Sequence, residues 1–366
     1  MRVNKLVLRN YRNYEQLEVD FTSNVNIFIG ENAQGKTNIL EAIYLGAVGR
    51  SHRTAEDDDL VKWEQDSASV DLFFTRHSVD NKVGFRLIKG RNKEILFNDF
   101  PIKPREVIGS LTAVLFSPED LWLIKGAPAL RRRFLDTEIS QAVPLYYRNL
   151  LQYTRVVNQR NHLLKKIHER KAQPELLDSW DEQLTKLAVF LVAKRLEAVK
   201  KLGMLAKLMH RRLTGSRENL ALAYYLAGME GGAAPADLYG WYRGKLAQDR
   251  ATDIARGSTS VGPHRDDVIL RVNDKELRNF GSQGQQRTGI LALKLAELEF
   301  LKSETGEYPV LLLDDVMSEL DGLRREQLLS FIRDRIQTFI TATDAALFPA
   351  MKAGRYYRVN AGTITE

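Results

Sequence analysis

Cysteine is absent from all 366 residues, which removes disulfides, thiolate metal sites and thiol nucleophiles from the chemistry open to this chain. The six histidines have no paired zinc-ligand spacing. No apolar stretch approaches the roughly 20 residues that a bilayer crossing requires, and the N-terminus runs directly into an alternating strand pattern rather than a targeting peptide. A soluble, cytoplasmic protein with no membrane partner is expected. Internal repeats and low-complexity tracts are missing too. Phosphate, Mg²⁺ and carboxylates remain as the means of chemistry. With 44% hydrophobic residues the chain can bury cores for two or three domains.

What is present in full is a phosphate loop. Gly30-Glu31-Asn32-Ala33-Gln34-Gly35-Lys36-Thr37 matches G-x-x-x-x-G-K-[ST]. Such a loop turns backbone N–H groups inward around a β-phosphate, and Gly30 and Gly35 supply freedom that large side chains would deny. Lys36 reaches the β- and γ-phosphates as a cation. Thr37 is placed to ligate Mg²⁺ at a helix N-terminus whose dipole favours anions. The flanks agree: Val25-Asn26-Ile27-Phe28-Ile29 is an apolar strand, and Ile39, Leu40 and Ile43 share one face of the helix that follows. Binding of ATP or GTP is expected.

The second nucleotide element lies far downstream. Val310-Leu311-Leu312-Leu313-Asp314-Asp315 is an apolar strand ending in two carboxylates, the form of a Walker B element. Asp314 is expected to hold Mg²⁺ through water, and Asp315 stands where a hydrolytic base belongs. Lys36 and Asp314 are 278 positions apart, more than a compact nucleotide fold needs, so a large module is inserted between them. Residues 122 to 217 carry 20 Lys and Arg against 8 Asp and Glu, an excess of 12 in a chain whose net charge is +7, so the remainder is net acidic. A basic module on an acidic engine suits a nucleic-acid-dependent NTPase.

The first hundred residues read mostly as strands, suggesting a sheet-rich lobe built around the nucleotide strand. From Ser117-Pro118-Glu119-Asp120 the texture turns helical. Tyr146, Leu150, Tyr153, Val157, Leu164 and Ile167 recur at helical spacing, with Arg160 as a polar interruption. After a break at Pro174, Leu177, Trp180, Leu184, Leu187 and Leu191 repeat the spacing. Two such helices joined by a short turn pack antiparallel, giving an arm of about 40 to 60 Å. Gly228 to Pro235 reads as a loop and Ala236 to Ala255 as a further helix. The expected organisation is α/β: a discontinuous head of residues 1–117 and 252–366, with an inserted basic helical domain of residues 118–251.

Between arm and Walker B lies Gly281-Ser282-Gln283-Gly284-Gln285-Gln286-Arg287, then a helical run from Thr288 to Leu301. Ser282, Gly284 and Gln285 stand at a helix start, ready to offer N–H and hydroxyl donors to a phosphate. Because one P-loop already covers the bound nucleotide, a second phosphate-binding helix start suggests the γ-phosphate of a nucleotide on another subunit.

The order of Walker A, helical arm, signature and Walker B resembles the ABC-type ATPases of the SMC and Rad50 group, and within it the bacterial recombination mediators. Leu115-Phe116-Ser117-Pro118-Glu119-Asp120-Leu121 and Val261-Gly262-Pro263-His264-Arg265-Asp266-Asp267 are similar to that family's blocks, and the likeness runs from Arg9-Asn10-Tyr11-Arg12-Asn13-Tyr14 to Thr343-Asp344. The resemblance implies an ABC-type head of mixed sheet lobe plus helical signature lobe. It further implies an ATP-dependent homodimer that clamps gapped or junction DNA, works with RecR and RecO to load RecA, and hydrolyses ATP slowly. On the same mapping Ser282 and Gly284 reach the partner's γ-phosphate, Ser318-Glu319-Leu320-Asp321 forms the D-loop, and Arg12 approaches the nucleotide phosphates. Three departures from the wider ABC pattern stand out: Gln283 replaces a glycine, Asp315 replaces a glutamate, and Ile340-Thr341-Ala342-Thr343-Asp344 lacks a switch histidine. A shorter carboxylate reaches its water less readily, so slow turnover is expected.

Arg50, Arg53, Arg131, Arg132 and Arg133 are the candidates for DNA phosphate contacts, with no base-specific reading expected. Two further readings stay open at this level: a nucleotide-bound scaffold for protein partners, and another SMC-like ATPase of chromosome maintenance. The missing cysteine hook and short arm disfavour a Rad50-type tether.

Overall fold

Alternation of apolar and polar residues makes the first strand, β1 (Arg2–Tyr11), whose Val3, Leu6, Leu8 and Tyr11 are buried. A register shift between Val3 and Lys5 re-phases that alternation against its neighbour. The structure, a computed structural model, describes residues 1–229, 234–333, 335–345, 348 and 354–365. Residues 230–233 of the expected Gly228 to Pro235 loop lie outside the described residues.

β1 joins β2 (Tyr14–Asp20), β4 (Ser67–Arg76), β5 (Val79–Ile88), β6 (Glu94–Phe97) and β7 (Phe100–Ile102) in an antiparallel sheet of order β2-β1-β4-β5-β6-β7. A second sheet has the order β15-β14-β3-β13-β12-β8. It comprises β3 (Val25–Ile29), β8 (Ala113–Phe116), β12 (Val310–Asp314), β13 (Thr338–Ala342), β14 (Arg355–Asn360) and β15 (Thr363–Thr365). Its neighbours are parallel except for β14 and β15. The sequence suggested one lobe around the nucleotide strand; instead β3 leaves the antiparallel strands to its neighbours in sequence and pairs with strands from the C-terminal third. β3, β12 and β13 are buried on both faces, which explains their unbroken apolar runs.

Helix α1 (Lys36–Val48) follows β3 and packs on β8, β12 and β13 of the second sheet and on β4 of the first. Buried on nearly all sides, it has little amphipathic character: Ile39, Leu40, Ala42, Ile43, Leu45 and Ala47 are fully buried. A Cβ on Gly46 would stand 2.4 Å from the Leu72 Cδ2 of β4, so glycine permits the close approach.

The chain divides into two compact units, Met1–Asp120 with Lys294–Glu366, and Leu121–Leu293. The second holds α2 (Trp122–Lys125), α3 (Pro128–Ala142), α4 (Pro144–His168), α5 (Leu177–Leu213), α6 (Leu238–Arg256) and α7 (Leu277–Phe280). It also holds the sheet β11-β10-β9, made of β9 (Leu220–Tyr225), β10 (Asp267–Val272) and β11 (Lys275–Glu276). The sequence placed the return to the head at residue 252. The chain stays with the second unit to Leu293 because β10 pairs antiparallel with β9, a strand the sequence did not reveal. Two helices complete the chain, α8 (Gln283–Thr305) and α9 (Gly322–Ile332).

The arm is the packed pair α4 and α5, of 25 and 37 residues, or about 38 and 56 Å at 1.5 Å per residue. Arg160, read as a polar interruption, is its staple. Completely buried, it donates to Asp181 of α5 and Asp253 of α6, each at 2.7 Å, and to Thr259 Oγ1 at 3.0 Å. Arg195 does the same at the other end, forking onto Asp136 at 2.9 Å and meeting the hydroxyls of Tyr146 and Tyr224. Breaking a buried pair of this kind costs about 3–5 kcal/mol, because it leaves a charge without its partner.

Candidate nucleotide site

Strand β3 delivers the glycine loop to the carboxyl edge of the second sheet, the edge where α/β folds bind ligands. Glycine is required twice. Gly35 holds φ +114°, and a Cβ there would lie 2.5 Å from the Asn13 amide nitrogen and 2.9 Å from the Tyr14 hydroxyl. A Cβ on Gly30 would lie 2.3 Å from the backbone oxygen of Val359 in β14. Between them Glu31, Asn32 and Ala33 are exposed, Ala33 in the left-handed region at φ +64°. Gln34 ties the loop to the C-terminal hairpin: its carbonyl accepts from Gly362 N–H at 3.2 Å and Asn13 Nδ2 at 2.8 Å, and its Oε1 accepts from Ala361 N–H at 2.6 Å.

Helix α1 begins at Gly35 with no side-chain cap and no acidic residue in its first turn, so its N–H groups are left to an anion. Lys36 folds back over the loop, Nζ donating to the carbonyls of Gly30 and Glu31 at 2.7 Å each. Burial draws its pKa down, against the pull of Asp315 and Asp314.

Thr37 Oγ1 donates to Asp314 Oδ1 at 2.8 Å, and Thr341 Oγ1 of β13 donates to the same oxygen at 2.7 Å. A hydroxyl and a carboxylate oxygen side by side at the foot of a phosphate loop are the hard donors that Mg²⁺ takes. Asp315 sits at φ +53° with its N–H on Thr341 Oγ1 at 2.9 Å. Burial raises the Asp315 carboxyl, Lys36 opposes, and Asp314 adds to the rise. Of the loop residues named from sequence, Thr37 bonds to Asp314 directly and Lys36 feels the charges of Asp314 and Asp315.

Arg12 is turned elsewhere. Its Nε and Nη2 fork onto the buried Glu41 of α1 at 2.9 and 2.6 Å, and its Nη1 donates to the carbonyl of Asp59 at 2.8 Å. Ser51 also donates to Glu41, at 2.5 Å. Burial pushes the Glu41 carboxyl up, but these donors prevail and hold it below the ordinary carboxylate range. Two residues near the loop escaped the sequence reading: Asn13, which accepts from Asn38 Nδ2 at 2.8 Å and donates to the loop, and Tyr14, whose hydroxyl donates to the Gly35 carbonyl at 3.1 Å. No short motif marks either.

In the second unit, Ser282 and Gln285 cap α8 reciprocally: Ser282 N–H donates to Gln285 Oε1 at 2.9 Å, and Gln285 N–H to Ser282 Oγ at 3.2 Å. Gly284 is exposed, and a Cβ there would meet nothing closer than Ser282 Oγ at 4.0 Å. The chain's own packing does not demand that glycine.

The candidate DNA arginines separate. Arg50, Arg53 and Arg133 are exposed. Arg53 donates to Asn38 Oδ1 at 2.9 Å and lies 3.8 Å from Glu41. Arg131 is corrected: 6% exposed, it forks onto Asp267 at 2.7 and 2.8 Å and donates to the carbonyls of Leu123 and Gly126, so four of its five N–H donors are spent holding the fold. Half-buried Arg132 donates to the Asp266 carbonyl at 2.7 Å. The Val261–Asp267 block likewise turns inward: Tyr153 meets His264 Nδ1 at 2.6 Å, and Asp266 accepts from Tyr224 at 2.6 Å and Ala227 N–H at 2.9 Å. Among the described residues no helix is long and apolar enough to cross a membrane.

A glycine loop on a central parallel strand, an aspartate pair on another strand of that sheet, and a capped helix start after an inserted helical pair define an α/β ABC-type ATPase head. The family model described as RecF/RecN/SMC N terminal domain matches residues 2–365. The chain belongs to the RecF family. It is 44% identical to the DNA replication and repair protein RecF of Halothermothrix orenii, over 94% of this chain and 92% of that one. It is 40% identical to the protein of that name from Listeria monocytogenes, over the full length of both. Two solved structures of the recombination mediator protein RecF in the RecFOR pathway, one as RecF–ATP and one as RecF–ATPrS, match at 35% and 34% identity. Their TM-scores are 0.92 and 0.91, with 100% and 99% of this chain and 97% of each of those chains covered. A Smc head bound to the C-winged helix domain of ScpA matches at TM-score 0.58 and 14% identity, over 100% of this chain and 97% of that one, a likeness of fold alone.

Proposed function

We propose that this chain is a cytoplasmic ATP-dependent DNA-binding protein of recombinational repair, closing as a homodimer on gapped or junction DNA and working with RecR and RecO to load RecA. One observation carries the reading: the P-loop, Thr37 and Asp314 come together in one unit, while a second capped helix start, with Ser282, exposed Gly284 and Gln285, belongs to the other. ATP and the pathway come from the names of the relatives, and this chain's own residues fit them.

Gly30 to Gly35 wrap the phosphates with backbone N–H groups, the uncapped start of α1 receives their charge, and Lys36 leaves its two carbonyl partners for the β- and γ-oxygens. Thr37 and Asp314 are the residues to hold Mg²⁺, which when bound neutralises developing phosphate charge. Asp315 takes the proton of the attacking water. Its burial-raised carboxyl suits that task, and its short side chain makes turnover slow. Arg12 exchanges Glu41 for phosphate when the site fills. Ser282, Gly284 and Gln285 meet the partner's γ-phosphate, so ATP joins two copies. Arg50, Arg53 and Arg133 contact DNA phosphates, with affinity that falls steeply with salt and ignores sequence.

Retention on a gapped duplex, measured by filter binding with and without Mg-ATP, tests the reading. Strong retention is expected only with ATP, and hydrolysis releases it. Equal retention without nucleotide would refute the switch.

A further inference from the structure

The start of α8 is held from outside the helix by a carboxylate that belongs to no motif. Beyond its reciprocal cap with Ser282, the Gln285 side chain makes one more bond: Nε2 donates to Glu218 Oε1 at 2.7 Å. Glu218 lies in the connection between α5 and β9. Its carbonyl faces His210 Nδ1 at 3.4 Å, and its second carboxylate oxygen lies 3.9 Å from His210 Nε2. His210 is fully buried in the last turn of the arm helix, and its Nε2 has no hydrogen-bond partner.

An acidic group beside a helix start that must receive a phosphate works against the field that attracts the anion. Its presence therefore calls for a compensating task, and the hydrogen bonds supply one. The Gln285 amide has two roles, accepting from Ser282 N–H and donating to Glu218, and only one orientation of the amide satisfies both. Without Glu218 the amide keeps only its bond from Ser282 N–H, and the Ser282 end of the cap loses its anchor.

We infer that Glu218 is a positioning residue for the signature: it locks Gln285, and through it Ser282, in the arrangement that a second copy's nucleotide meets, and it ties that arrangement to the end of α5. The inference deepens the trans-signature reading above and rests on it.

The test uses the full chain with Glu218→Ala, Glu218→Gln, Gln285→Ala and the Glu218→Ala/Gln285→Ala double variant. Amide exchange at residues 283–287 in the ATP-free protein is expected to quicken about tenfold in Glu218→Ala, the worth of one hydrogen bond to a charged acceptor. ATP-dependent dimerisation weakens by a similar factor while ATP binding, by equilibrium dialysis, stays within about twofold of wild type. Glu218→Gln, whose amide oxygen still accepts from Gln285, restores both readouts, which a role of the charge would not predict. The double variant is no worse than either single one. Unchanged exchange in Glu218→Ala, additive losses in the double variant, or loss of ATP binding together with dimerisation would overturn the inference. The two levels separate: a wild type that never dimerises with ATP removes the trans-signature reading, whereas a normal wild-type dimer with unchanged exchange in Glu218→Ala removes the lock alone.

Discussion

Asp266→Asn probes whether the Val261–Asp267 block is a structural staple. Burial raises the Asp266 carboxyl from 3.8 to about 6, although bonds from Tyr224 and Ala227 and the charges of Arg195 and Arg132 oppose the rise. Two residues earlier, burial lowers His264 from 6.5 to about 4, with Arg265, Arg132 and Arg195 pushing the same way and the Thr259 carbonyl opposing. A carboxyl raised on folding stabilises the fold below its unfolded value and loses that contribution as pH rises through about 6. An imidazole lowered on folding contributes above 6.5 and loses that contribution as pH falls through about 4. Each shift corresponds to about 3 kcal/mol at 1.36 kcal/mol per unit, and the two oppose each other between pH 4 and 6.5. Asn keeps the shape and one acceptor but cannot titrate. The stability of Asp266→Asn relative to wild type should therefore rise by about 3 kcal/mol between pH 3.5 and 7. Opening free energies from hydrogen exchange of α4 and α5 amides, measured in both proteins across that range, give the difference directly. A difference independent of pH, or one that falls as pH rises, would refute the burial argument.

Other substitutions divide the site from the scaffold. Gly35→Ala forces a side chain into φ +114° against Asn13 and Tyr14, a strain of about 1–3 kcal/mol, so ATP affinity by calorimetry should fall by about 5- to 150-fold. An unchanged affinity would mean the loop is not formed as described. Arg131→Met leaves Asp267 without its fork and should cost about 3 kcal/mol of stability in urea unfolding. The salt dependence of DNA binding should not change, and a slope reduced by about one would return Arg131 to the DNA surface. Asp314→Asn should weaken the dependence of ATP affinity on Mg²⁺ while leaving binding without the metal close to wild type.

Much of this was legible because it follows from short-range periodicity. The P-loop, the Walker B strand and the helices over 144–168 and 177–213 carry local signals of spacing and burial that tertiary context only reinforces. What was hidden depends on partners distant in sequence. Leu220–Tyr225 is a run of Leu, Ala and Tyr with no β-branched residue, and only its pairing with β10 makes it a strand. The return boundary shifted for the same reason. Arg160 read as a polar interruption and Arg131 as a candidate DNA contact because their acceptors, Asp253 and Asp267, lie 93 and 136 residues away. Asn13 and Glu218 act through one or two side-chain hydrogen bonds, which leave no pattern in a sequence.

The central claim is that the nucleotide at Gly30 to Thr37 joins two copies through Ser282. Sedimentation velocity of wild type, Lys36→Met and Ser282→Arg, with and without ATP and gapped DNA, tests it most directly. Wild type should pass from monomer to dimer with ATP, Lys36→Met should neither bind ATP nor dimerise, and Ser282→Arg should bind ATP yet stay monomeric. An ATP-dependent dimer of Ser282→Arg at wild-type nucleotide concentration would contradict the account.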